Sequence, residues 1–230
     1  MINSKTGARI TGVLFILGTV PILVALALWG KPLLSPDYLS LMAAHSGQVH
    51  LFVFTILVMG FACAGIGISL YPVLKPHNKG LALTALAFRL MEGPLQFVSA
   101  IGYVALLAVS REFVTEGSPP DSFYRSAGAA IKAVNAWVST AYFIPFCIGA
   151  FSYYTIFHKT RLVPRWLSVW GLAGILLMLV AGLGGILGLI IDSSPLGSLL
   201  CMPIMVQELV LAFWLIIKGF ASPATAKALG

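Results

Sequence analysis

The chain has 230 residues, 59% of them hydrophobic and only 9% charged, with a mean hydropathy of +0.98. A soluble domain carries roughly 25% charged residues, and one of this composition would expose apolar patches far above the tolerated size, so a water-soluble fold is excluded. The +7 net charge comes without basic clusters interleaved with aromatics, which argues against nucleic acid as a partner and fits contact with anionic membrane lipids.

Apolar runs of about 20 residues cross a bilayer as helix. Six such runs occur, at 9–30, 48–74, 81–109, 128–158, 166–191 and 198–219. The short alternating segments of a barrel do not appear. The expectation is a single domain over 1–230: an all-α membrane protein built as a six-transmembrane-helix bundle. The first run follows Lys5 and Arg9 and contains Ala25-Leu26-Ala27, which together imitate a secretory signal. Its apolar stretch exceeds a signal's core of about 7–15 residues, so it is expected to stay as an uncleaved first helix.

Between the second and third runs, Pro76, Asn78 and Gly80 break the chain, and Pro164 does so before the fifth. The outer links, 31–47 and 110–127, are longer. The second of them, with Gly117, Pro119 and Pro120, reads as a flexible crown. With the N-terminus inside, Lys5, Arg9, Lys75, Lys79, Lys159, Arg161, Arg165, Lys218 and Lys227 fall on the cytoplasmic side, with no acid among them. The outer side holds Lys31, Arg111, Arg125 and Lys132, together with Asp37, Glu112, Glu116, Asp121 and Asp192. This bias satisfies the positive-inside rule, and both termini are expected in the cytoplasm, N-in and C-in.

The stretches YPVLKPHNKGLAL and YTIFHKTRLVPRWLSVWGL share an order of aromatic, basic, His and Pro. Two ordinary positive-inside turns explain that better than an internal duplication of the transporter kind. Trp166, Trp170 and Trp214, with Tyr71 and Tyr154, suit an interfacial aromatic belt. The glycine-rich fifth span, with Gly184 and Gly188 four apart, is expected to admit another helix backbone closely.

Chemistry concentrates in the third span. Arg89, Glu92, Gln96, Ser99 and Tyr103 recur at alternating three- and four-residue spacing, which puts them on one face of one helix. Ionisable groups inside a membrane normally face the bundle interior, as a site or as a structural lock. The last span adds Gln207 and Glu208. Glu92 and Glu208 each lie roughly 17 Å in from the inner surface, near the midplane, so an Arg89–Glu92–Glu208 cluster is geometrically available. One guanidinium does not neutralise two carboxylates in low dielectric, so a clustered trio is expected to hold a proton. Glu92 and Glu208 are thereby the candidates for catalytic acid–base work.

The fourth span carries a second stripe, Lys132, Asn135, Ser139 and Tyr142. With Gln96, Ser99 and Tyr103 it lines an outward-open polar cavity, or else it glues two helices at about 1 kcal/mol per hydrogen bond. Both readings stand at this point. Pro94, Pro145 and Pro203 sit inside spans, where kinks are tolerated. Cys63, Cys147 and Cys201 form no CxxC and read as small buried hydrophobes. No histidine pair lies mid-span, so no haem is expected, and His77 with His158 makes only a weak metal pair. No metal or cofactor is expected, and no hydrolase, zincin or P-loop motif occurs.

The stretches YPVLKPHNKGLALTALAFRLMEG, RLVPRWLSVWGL and QELVLAFWLIIKGF, in that order, resemble the bacterial membrane-protein family catalogued as domain of unknown function 4386. The similarity runs from ARITGVLFILGT to the last span and leaves 110–127 unmatched. It implies a compact multi-span protein of the bacterial cytoplasmic (inner) membrane, and its pattern includes Arg89, Glu92, Gln207 and Glu208. No activity comes with it. The functional expectation is binding or transport of a small or amphipathic ligand at Arg89, Glu92 and Glu208, with or without a linked proton. Gln96, Ser99, Tyr103, Asn135, Ser139, Tyr142 and Gln207 complete the candidate site. The alternatives are an intramembrane enzyme isomerising or cyclising a lipid or isoprenoid through the Glu pair, and a non-catalytic accessory subunit.

Overall fold

A computed structural model describes residues 4–119, 123–190 and 194–221. Pro120, Asp121, Ile191, Asp192 and Lys227, and the side chains of Ala25, Leu26 and Lys31, lie outside the described residues. Among those described the chain is all helix: α1 (Ser4–Leu34), α2 (Tyr38–Ala44), α3 (Ser46–Leu74), α4 (Lys79–Thr115), α5 (Phe123–Thr160), α6 (Arg165–Ile186) and α7 (Pro195–Ile217). Five of them, α3 to α7, are long and apolar enough to cross a membrane, the make-up of a multi-pass membrane protein. α1 covers the first expected span and runs for 31 residues.

The helix starts follow local chemistry. Asn78 caps α4 by accepting from the Leu81 N–H at 2.9 Å, and Ser194 caps α7 through the Gly197 N–H at 3.1 Å, with Pro195 in the first turn. Pro72, Pro94, Pro145 and Pro203 all lie within continuous helices.

The long helices form a closed ring in chain order. α1 packs on α3, α3 on α4, α4 on α5, α5 on α6, α6 on α7, and α7 returns to α1. Closure depends on Gly12 of α1, where a Cβ would lie 2.6 Å from the Ala212 carbonyl oxygen. The ring's interior holds two apolar clusters. One, in the half containing the chain ends, gathers Phe15, Ile66, Leu70, Ala85, Phe146, Phe157, Ile175 and Leu211. The other, in the opposite half, joins Leu39, Met42, Phe52, Val53, Leu106, Leu107 and Phe113. Outward positions such as Phe61 and Ile101, each 68% exposed, are apolar, the reverse of a water-soluble surface.

Three expectations are corrected. The link 31–47 contains α2, because Leu39 and Met42 bury against α3 and α4. The crown shrinks at both ends: α4 continues to Thr115, anchored by the fully buried Phe113, and α5 starts at Phe123. Gly184 and Gly188 do not seat a neighbouring helix. Gly188 lies beyond α6 at φ +69 with open space around it, and Gly184 faces the Ile190 side chain. The close packing of α6 falls instead on Gly171, Gly174 and Gly182, against Tyr154, Ile204 and Phe143.

Candidate functional site

Arg89 sits where three helices crowd. A Cβ on Gly67 of α3 would come within 2.9 Å of the Arg89 Cβ, and one on Gly149 of α5 within 3.5 Å of its backbone nitrogen. Held on both sides, the side chain points into the ring. There its guanidinium donates to Glu92 Oε2 from Nη1 at 2.9 Å, and from Nη2 to Glu208 Oε1 at 2.8 Å and to Tyr153 Oη at 2.7 Å. The expected trio therefore meets. Arg89 is 1% exposed, Glu92 0% and Glu208 7%, so these ion pairs operate away from water and its screening.

The surroundings are chosen for a cation. The Arg89 guanidinium carbon lies 4.7 Å from the Phe146 ring centre, 5.4 Å from Tyr153 and 5.8 Å from Phe15. Aromatic faces attract a desolvated guanidinium by about 2 kcal/mol or more. Further hydroxyls extend the network. Tyr153 donates to Glu208 Oε1 at 3.2 Å, Thr19 to Glu208 Oε2 at 3.4 Å, and Tyr142 to Glu92 Oε2 at 3.3 Å. With the Tyr142 proton committed to Glu92, the Cys63 thiol is left to donate to Tyr142 Oη at 3.8 Å. The chain of contacts thus runs from Cys63 on α3 to Thr19 on α1.

Two polar atoms of the trio have no partner: Arg89 Nε and Glu92 Oε1. Glu208 accepts from three donors. Glu92 receives Arg89 and Tyr142 on one oxygen only.

Gln207, beside Glu208, builds a second network. Its Nε2 donates to the Leu167 carbonyl of α6 at 2.9 Å, and its Oε1 accepts from the Tyr154 hydroxyl. Tyr154 is thus fully buried rather than part of an interfacial belt, because it turns inward over Gly171.

The remaining candidates lie in the half of the ring away from the chain ends. Gln96 and Ser99 are buried on the α4 face that carries Glu92. Neither makes a side-chain hydrogen bond among the described residues. Tyr103 packs its ring edge-on to Phe52, centres 4.8 Å apart. Asn135 is buried against Gly102. Ser139 lies on the same α5 face, between Asn135 and Tyr142, and is exposed. Lys132 is engaged elsewhere, donating to the Leu33 carbonyl at 2.8 Å and lying 4.1 Å above the Tyr38 ring.

Sequence reasoning missed Tyr153, Thr19, Phe15 and Phe146. Tyr153 had a signal, since it stands four residues from Gly149 and eleven from Tyr142 on one α5 face. Thr19 and the two phenylalanines had none, being ordinary residues of apolar spans.

Among curated proteins and among solved structures, nothing matches this chain. A family model does match, over residues 10–219, and its description is Domain of unknown function (DUF4386). The match takes in every residue of the Arg89 and Gln207 networks, and the chain belongs to that family.

Proposed function

We propose that this chain is a six-span protein of the bacterial inner membrane, with α1 as its first span and both termini cytoplasmic, and that it binds a small or amphipathic ligand at a proton-holding Arg89–Glu92–Glu208 site. The orientation is supported by the basic residues concentrated in the segments on the side of the chain ends. One observation carries the site. A clasp needs one carboxylate per guanidinium, yet a second is buried here, and its Oε1 has no hydrogen-bond partner. Burying excess charge is costly in low dielectric. A proton on Glu92 balances the charge, and Glu208 keeps its three donors. The proton on Glu92 would sit on Oε1, the oxygen that Arg89 and Tyr142 leave unbonded, available for exchange with a ligand.

Infrared difference spectroscopy on purified protein tests this. The carbonyl band of a protonated buried carboxyl is expected in the wild type and should vanish in Glu92→Gln. Mass spectrometry of co-purifying lipids should then find a bound amphipath in the wild type that the variant loses. A wild type without the carboxyl band sinks the reading.

A second reading has support of its own. Both terminal guanidinium nitrogens are engaged and tie α4, α5 and α7 together, as a structural clasp would. On that reading Glu92→Gln folds less well and loses no bound molecule.

A further inference from the structure

Asn135 is 4% exposed, and both polar atoms of its side-chain amide are buried without a partner. An amide in that state offers two N–H donors and a carbonyl acceptor to nothing, and leaving such groups unmade costs on the order of 1–3 kcal/mol in proteins. The position is not accidental packing slack. Gly102 of α4 lies directly opposite, and a Cβ there would be 2.0 Å from Asn135 Oδ1, so the side chain is seated on bare backbone. One turn along α4 stands Ser99, and one further Gln96, 6% and 8% exposed. The helix-glue reading of these residues needs hydrogen bonds between them and their neighbours, and the described residues make none.

We propose that Gln96, Ser99 and Asn135 form a second, uncharged binding station that spans about 6–15 Å along α4 from Glu92. It takes a neutral hydrogen-bonding group: a hydroxyl, carried either by a membrane-soluble alcohol or by water. The inference builds on the binding reading of the Arg89 cluster and adds the chemistry of the ligand's other end. Neutrality follows from what surrounds the station. α4 has no charged residue between Glu92 and Arg111, and α5 has none between Lys132 and Lys159. The Lys132 ammonium is held by the Leu33 carbonyl and the Tyr38 ring. An ion seated here would lack a counter-ion. A hydroxyl both donates and accepts, which matches the Asn135 amide, and Ser99 and Gln96 continue the polar face of α4 from there toward Glu92.

The test uses the full chain in membrane vesicles. Single cysteines replace Ser99 and, as a lipid-facing control, Ile101, with the native cysteines' background read from the parent. Modification by a small hydrophilic methanethiosulfonate is expected at least about tenfold faster at position 99, because a thiol in lipid stays protonated and unreactive. Protection of position 99 by monoolein assigns the hydroxyl to an alcohol, and access without protection assigns it to water. Equal slowness at 99 and 101 overturns the station, as does protection by oleate rather than monoolein. An independent arm needs no cysteine: Asn135→Leu should lower the melting temperature or leave it unchanged. A rise would mean that the amide sits dry and unpaired, and the idea fails. None of these readouts touches the Glu92 carboxyl band, so the two proposals fail separately.

Discussion

Arg89 and Glu208 meet at 2.8 Å although α4 and α7 are not neighbours in the ring. The guanidinium reaches across the interior, and Tyr153 of α5 bridges the same two groups. A link of this kind is blind to which helices touch. It needs only that both side chains point inward at one depth, and residue counting from the inner ends of the two spans places them so.

Charge parity gives the first prediction. With two carboxylates for one guanidinium, either Glu92→Gln or Glu208→Gln alone leaves a balanced pair, so each should cost less than about 1 kcal/mol. The double variant strands a buried Arg89 and should cost about 3–5 kcal/mol. The signature is strong non-additivity in a double-mutant cycle, read from thermal melts in detergent. Additive effects would mean that the two carboxylates do not share the task of balancing Arg89. Glu92→Gln should be the milder single change, since Glu208 has more donors to lose.

Seating of Arg89 gives the second. Gly67→Ala puts a methyl 2.9 Å from the Arg89 Cβ, and two packed helices must part to admit it. The expected loss is about 1–3 kcal/mol. Gly47→Ala, in the same helix with open space around it, should instead stabilise by up to about 1 kcal/mol through helix propensity. Paired melting curves decide, and equal shifts at both positions would show that the contact carries no strain.

Much of this arrangement was legible in the sequence because membrane burial leaves few explanations for a polar residue. Arg89, Glu92 and Glu208 stand out against apolar neighbours, and the periodicity of α4 fixes their common face. Tyr154 was misplaced because aromatic residues near a span's end serve equally as belt or as core. Only the neighbouring Gly171, a partner distant in sequence, decides between the two. The same limit hid Thr19 and Phe146, whose roles come from the ring's closure and from which face α5 turns to Arg89. Ser139 stays on the face that the spacing predicts, between Asn135 and Tyr142, and its exposure reflects how closely the neighbours of α5 approach there, which spacing does not report.

The Gln207 network supplies the third prediction. Tyr154→Phe leaves Gln207 Oε1 buried without its donor, an orphan worth about 1–3 kcal/mol. Adding Gln207→Met removes the acceptor too, but it also frees the Leu167 carbonyl on α6. The double variant should therefore cost no more than the sum of the singles, and the excess should appear as faster amide exchange at the start of α6. Unchanged exchange there would show that Gln207 does not hold α6.

The last prediction concerns the end of the ring away from the termini. α1 is fastened at three heights: Gly12 against the Ala212 backbone, Thr19 to Glu208, and the Leu33 carbonyl to Lys132. The third tie is electrostatically apt, because Leu33 lies in the last turn of α1, where unpaired carbonyls concentrate the negative end of the helix dipole. The Tyr38 face adds a cation–π contact at 4.1 Å. Lys132→Met keeps the aliphatic stem over Tyr38 and removes only the charge, so its expected cost is about 1–2 kcal/mol. The loss should be local: hydrogen exchange should rise in the last turn of α1 and in α2, with the inner half of α1 unchanged. Lys132→Arg, which retains a donor and a cation, should restore most of the protection. If Lys132→Met leaves exchange in α1 and α2 as it was, the contact is incidental and the outer end of α1 is held by apolar packing.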